Sequence, residues 1–385
     1  MEHKLEDGSL DEKEFDDVVA CGTGVEREDT SGGEIVEPFN PSLIRVETKL
    51  LIIDTLLKRM RHDEIDLEPD FQRKAGIWTN NAQSRLIESI LVRIPLPAFY
   101  MDATDDDHWL VVDGLQRLTA LRRFIILKEL RLEGLEFLTN FSNKTFDQLP
   151  RNYQRRIEET QITVYLIEKG TPLNVKFNIF RRINTGGLPL SPQEIRHALN
   201  PGPVNAFLKC LAESKAFKLA TSYSVRDDRM GDREFVLRFL AFATIGYDNY
   251  TYQDDLDNFL NKAMVKLNKI SETELQDLKR RFFRTMDAAH KIFGRYAFRK
   301  QYQANGSRYP INKALFETWS VNLDRLTDEE LGRVVGNREQ IQRCFIKLMN
   351  DNKKFEAAVS VGTGDVKNVH NRFSEIEKLL RELLQ

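Results

Sequence analysis

The sequence predicts an α+β protein in two parts, an N-terminal α/β domain on a small mixed sheet followed by an all-helical domain. Three observations carry this. Short runs of strand character (96-LPAFYMD, 109-WLVV and 162-ITVYLIEKG) all fall before residue 171. Amphipathic stretches of helical spacing separate them. Beyond about residue 200 every apolar pattern is helical. The 385 residues are enough for two or three domains.

Taken in order, the chain opens on an acidic head, residues 1–44. Its first 40 residues hold 13 acids against Lys4, Lys13 and Arg27, a balance of −10. Such a segment is expected to be disordered. The whole chain is at −2, so the rest stands at +8, compatible with a polyanionic partner. The run 48-TKLLIIDTLLKRMRH predicts a helix with Leu50, Ile53, Leu57 and Met60 on one face. Residues 65–73 read as extended, with Pro69 at an edge or turn. A helix over 80–93 opens at Asn80 and closes before Pro95. Residues 96–102 and 109–112 form a hairpin across the polar loop 103–108. A helix over 115–130 carries Leu115, Leu118, Leu121 and Ile125 in one stripe. A strand follows at 162–170. The helix at 173–187 ends in tandem glycines. Ser191, Pro192 and Glu194 make the N-terminal signature of the next helix. The α/β domain is thus placed at 45–190 and the helical domain at 191–385. Further helices are expected near 203–213, 232–246, 254–268, 271–293, 312–320, 327–350 and 366–384.

Composition removes several classes. No apolar run reaches the roughly 18 to 20 residues of a membrane helix. The acidic N-terminus is unlike a signal peptide. Cys21, Cys210 and Cys344 are far apart and odd in number, which speaks for a reducing compartment and against a disulfide framework or a cysteine zinc site. A cytoplasmic protein is expected.

The chemistry concentrates at 109-WLVVDGLQRLTAL, where a strand passes through Asp-Gly into a helix. A helix N-terminus offers unpaired N–H groups and positive dipole to an anion. Gly114 allows the tight turn and close approach of a ligand. Arg117 could clamp phosphate oxygens, and Gln116 could orient a water, a phosphate or a base. Asp113 could hold Mg²⁺ or act as a base. Five such residues are equally what an N-cap, a turn and a surface arginine require. Two further stretches point beyond that. In 70-DFQRKAGIW, Gln72 and Arg73 end an extended segment before Trp78. In 177-FNIFRRINTGG, Phe177, Phe180 and Ile183 make a core stripe, while Arg181, Arg182 and Asn184 cluster beside the glycines.

These three stretches, in this order, resemble the N-terminal domain of GmrSD-type restriction systems, within the wider ParB/sulfiredoxin-like superfamily. The family's hallmarks are an FQR…W segment, a strand-turn-helix motif usually written DGQQRLT, and F…IN.GG followed by LS..E. Here they stand as Phe71-Gln72-Arg73 with Trp78, as Asp113 to Thr119, and as Phe180 with Ile183 to Gly187, then Leu190-Ser191 and Glu194. The resemblance covers roughly 48–200. It implies a ParB-like nucleotide-binding domain that hydrolyses an NTP with Mg²⁺ and serves bacterial defence against phage DNA. Carried over by position, Asp113, Gln116 and Arg117 are catalytic, with Asp113 on the metal. Gln72, Arg73, Gly114 and Asn184 bind the nucleotide.

Two departures stand out. Leu115 replaces the first Gln of the motif, which weakens hydrolysis if that amide positions water and is harmless if Leu115 faces the core. The six histidines are scattered, and His370 lies on a helical pattern, so no His-based nuclease domain of the kind full-length relatives add is expected; a partner subunit would supply it. Two alternatives remain: a DNA nuclease acting directly on phosphodiesters, and a non-catalytic DNA-sensing scaffold.

Overall fold

In a computed structural model, residues 24–28, 44–67, 78–183, 190–251 and 255–385 are described. The chain divides into two compact units. One is Phe39–Leu199; the other is Asn200–Gln385 together with Gly24–Glu28 of the head.

The first unit is a mixed sheet with helices on both faces. Its elements are β1 (Val46–Ile52), α1 (Ile53–Arg61), β2 (Ile65–Asp66), α2 (Asn80–Leu91), β3 (Phe99–Ala103), β4 (Trp109–Asp113), α3 (Leu115–Leu121), α4 (Arg151–Glu158), β5 (Gln161–Glu168), α5 (Leu173–Ile183) and α6 (Pro192–Leu199). Strand order is β1-β5-β3-β4-β2, the last a two-residue edge. The outer pair β1/β5 and the hairpin β3/β4 are antiparallel, while β3/β5 and β2/β4 are parallel.

Side chains alternate across this sheet as strand geometry requires. Trp109 and Val111 of β4, with Ile162, Val164 and Leu166 of β5, enter a core formed with α1, α2, α3 and α4. Val112 and Ile167 face the other way and pack with Phe177 and Phe180 of α5 and Ile195 of α6. That second core explains the extent of the unit: Ile195 ties α6 to α5, so the boundary falls after Leu199, beyond the expected 190. At the head of α6, Glu194 N–H donates to Ser191 Oγ and Ser191 N–H to Glu194, the expected capping box.

One expectation is overturned. Residues 46–52 form a strand, and the helix begins only at Ile53. Seven residues pair in register with β5, from Val46 opposite Ile167 to Ile52 opposite Gln161, and Leu50 is 70% exposed rather than on a core face. Helical spacing within 48–62 is a local signal, whereas the partner strand lies more than a hundred residues away. The buried face of α1 is Ile53, Leu56, Leu57 and Met60.

Two polar features brace the unit. Glu88, buried on α2, accepts N–H bonds from Glu136, Phe137 and Leu138 and so holds a loop. Burial works to push its carboxyl up, but the three N–H donors prevail and hold it below the usual range. Lys176 of α5 donates to both oxygens of Asp102 on β3, at 3.0 and 2.8 Å, with both side chains buried. The helix after Gly114 does not run uniformly to 130: α3 passes at Arg122 into a π-turn, Arg122–Ile126.

The second unit is helical: α7 (Pro203–Ala212), α8 (Lys215–Ala220), α9 (Gly231–Ile245), α10 (Leu256–Leu267), α11 (Glu272–Phe293), α12 (Lys313–Asp324), α13 (Asp328–Gly336), α14 (Arg338–Asp351), α15 (Lys353–Ala358) and α16 (Val366–Leu384). Its core is aromatic, with Phe217, Phe235, Phe239, Phe282, Phe316 and Trp319 fully buried or nearly so. The expected helix 327–350 is two, split at Asn337. Short α8 and α15 have too few residues to display a period. Five residues of the head also depart from expectation, and the rest of it up to residue 43 lies outside the described residues. Gly24–Glu28 are docked on this unit, Val25 making a parallel bridge with Ile311.

Candidate functional site

The turn after β4 is built around Gly114, at φ +103° and ψ 7°. A Cβ there would stand 2.5 Å from a ring carbon of Phe99, so both backbone and space call for glycine. The first bond of the helix runs from Leu118 N–H to Gly114 O at 2.9 Å. The N–H groups of Leu115, Gln116 and Arg117 lie ahead of that ladder and have no acceptor within the helix.

Arg117 is turned inward and only 8% exposed. Its guanidinium donates to Asp113 Oδ2 at 2.8 Å, to Ala98 O at 3.1 Å and to Pro97 O. It also lies 4.4 Å from the Phe99 ring centroid. The expected phosphate clamp is therefore a group already committed to the loop before β3 and to the acid of its own motif. Burial disfavours both charges: it raises the Asp113 carboxyl above its ordinary value despite Arg117, and lowers Arg117 despite Asp113.

Gln116 is half-buried and faces another motif. Its Oε1 accepts the N–H of Trp78 at 3.1 Å, and the Trp78 carbonyl accepts Gln83 Nε2 of α2 at 2.7 Å. Arg123 of the π-turn donates to Gln83 Oε1 at 2.9 Å and to Asn80 Oδ1 at 3.1 Å. The Trp of the FQR…W segment thus meets Gln116, the amide of the DGLQR turn. The third motif also comes close: Phe177 and Phe180 pack with Val112, the residue before Asp113. Leu115 packs against the core made with α1 to α4, so its place in the motif is a packing position. Gln72, Arg73 and Asn184 lie outside the described residues. Arg181 and Arg182 are exposed on α5.

Asp113 was expected to carry a metal. Among the described residues no three His, Cys, Asp or Glu side chains gather as ligands. Among the described residues the carboxylate at the turn is that of Asp113, shared between Arg117 and the Gly114 N–H. This donor set does not fit an ion held by protein ligands alone. His370 is a helix-face residue whose Nε2 lies 3.1 Å from Tyr250 O. A cavity of about 350 Å³ opens at the other end of β4, lined by Lys49, Arg59, Trp109, Glu168 and Lys169 among others. It shares no residue with the turn. The contacts that sequence reasoning missed, Gln116 with Trp78 and Lys176 with Asp102, join residues 38 and 74 apart. No local pattern encodes them.

A mixed sheet carries a strand-Asp-Gly-helix turn, and Trp78 of the preceding motif bonds to Gln116 on that turn. Residues 53–200 match the family described as GmrSD restriction endonuclease, N-terminal domain, and this part of the chain is a domain of that family. It marks the protein as one of a restriction-type defence system. No curated protein matches the chain. Among the described residues no helix is long and apolar enough to cross a membrane.

Proposed function

We propose that the α/β unit binds a nucleoside triphosphate at the Asp113–Gly114 turn and hydrolyses it in the service of DNA restriction. The observation that carries this is the convergence of Trp78 on Gln116 beside the N–H groups of Leu115, Gln116 and Arg117. These amides receive phosphate oxygens. Gln116, held through its Oε1, keeps its amide N–H₂ to donate to a phosphate or a water. Asp113 and Arg117 brace the turn, and Gly114 lets the ligand approach. Gln72, Arg73 and Asn184 complete the nucleotide site on the strength of the family motif. Mg²⁺ would arrive with the phosphates. DNA and a separate nuclease or defence subunit are the partners this reading implies, in the cytoplasm. A direct attack on DNA phosphodiesters is the second reading, and DNA cleavage without nucleotide would favour it.

Purified full-length protein decides the matter through NTP binding and turnover with Mg²⁺, with and without DNA. Gln116→Ala is the informative variant, because Gln116 is half-buried and outside the ion pair. Turnover should fall by about 10²-fold or more with melting temperature unchanged. Asp113→Asn keeps shape and tests the acid. Wild-type protein that neither binds nor turns over any NTP refutes the reading.

A further inference from the structure

The helical unit holds a buried charge network that the nucleotide reading leaves unused. Arg372 and Arg238 each donate at 2.5 Å to one oxygen of Glu317, and these three side chains are at most 3% exposed. Arg238 also bonds Glu234 at 2.9 and 2.7 Å, and Lys313 reaches Glu234 at 3.1 Å. Among the described residues, Arg238, Arg372 and Lys313 thus converge on Glu234 and Glu317. The head adds a further carboxylate to them. Glu28 accepts Arg238 through both its oxygens, at 2.8 and 2.7 Å, and accepts Lys313 at 3.1 Å. Burial works to raise the Glu28 carboxyl, but Arg238 and Lys313 outweigh it and hold it low.

Gly24–Glu28, the segment that carries Glu28, is also held by its backbone. Glu26 N–H donates to Ile311 O at 2.8 Å, and Ile311 N–H to Gly24 O at 2.9 Å. Glu26 takes Lys300 at 2.7 Å and Asn312 at 3.1 Å, while Arg27 between the two acids is exposed. Main-chain pairing plus pockets for alternate side chains is how strand-addition sites recognise peptides. A phosphate backbone could match the charges but has no N–H and C=O to offer Ile311.

We propose that this groove is a recognition site for an extended acidic peptide with glutamates at alternate positions, filled in cis by Gly24–Glu28 and exchangeable for an acidic segment of a partner protein. A tethered copy has an effective concentration on the order of millimolar. A partner therefore wins the groove only when it is held nearby or when the cis copy is weakened. The inference is independent of the nucleotide reading, because the groove and the Asp113 turn lie in different units.

The test uses a fluorescent peptide of residues 22–31 and the full-length chain, read by anisotropy. Glu26→Gln/Glu28→Gln weakens the cis copy and leaves the groove's own side chains intact. This variant should bind the peptide at least ten-fold more tightly than wild type does, and a peptide with both glutamates changed to Gln should not bind. Equal, weak binding by both proteins overturns the proposal. Displacement of the peptide by duplex DNA overturns the choice of a peptide ligand in favour of a general polyanion. If the variant does not fold, hydrogen exchange on wild type decides. Glu26 and Ile311 amides exchanging together while α12 stays protected supports release of the segment; exchange only on global unfolding overturns it.

Discussion

Arg117→Ala tests whether the motif arginine belongs to the fold or to the ligand. The substitution removes three donor contacts, to Asp113, Ala98 and Pro97, and a ring contact with Phe99. It leaves a carboxylate whose side chain is only 23% exposed without its cation. Breaking one side of a buried pair costs about 3–5 kcal/mol. Water can still reach part of Asp113, so the lower figure applies, about 3 kcal/mol or roughly two decades in the unfolding equilibrium. Urea unfolding followed by tryptophan fluorescence reads this directly, since Trp78 and Trp109 both lie in the α/β unit. With a slope of about 2–3 kcal/mol/M, the midpoint should fall by about 1 M. Asp113→Ala/Arg117→Ala should cost less than the sum of the single changes, because it removes both charges together. A single variant that keeps its wild-type midpoint yet loses nucleotide affinity would refute the reasoning and return Arg117 to the ligand.

Other expectations follow from the same geometry. Gly114→Ala forces a side chain into φ +103° and against Phe99, and calorimetry should show a loss of about 2–4 kcal/mol. Glu88→Ala strips three loop N–H groups of their acceptor, so about 2–4 kcal/mol should be lost and amides 136–138 should exchange faster. Glu28 is held below its ordinary value, so its stabilisation is complete above the unfolded carboxylate range near 4.5 and is lost as pH falls through the lower folded value. Acid unfolding of the helical unit should therefore be steeper in wild type than in Glu28→Gln, and identical curves would count against that role.

What could be read from the chain alone depended on how local its cause was. The hairpin around 103–108, the Ser191–Glu194 cap and the Asp-Gly turn are each set by residues within a few positions, and each lies where the sequence placed it. Strand β1 was misread because its pairing with β5 outweighs a helical period shared with its neighbour α1. Arg117 presents a subtler case. Its position in the motif was plain, but the direction of its guanidinium is decided by the Pro97 and Ala98 carbonyls, which no spacing rule connects to it. The docking of Gly24–Glu28 was equally invisible, since the net charge of the head masks which two acids are paired.

The π-turn at Arg122–Ile126 acts as a phase shifter. One residue more or fewer in a helix rotates everything beyond it by about 100°. Arg123, near the start of this turn, donates to Asn80 and Gln83, and through Gln83 it steadies the Trp78 carbonyl, while the extra residue closes through Leu127 N–H to Arg122 O. Length in this short stretch is thus under tighter constraint than identity. A family alignment that closes up a one-residue gap there would put the wrong side chains into the core places of Phe124 and Ile125, even with every letter of the DGLQR turn in place.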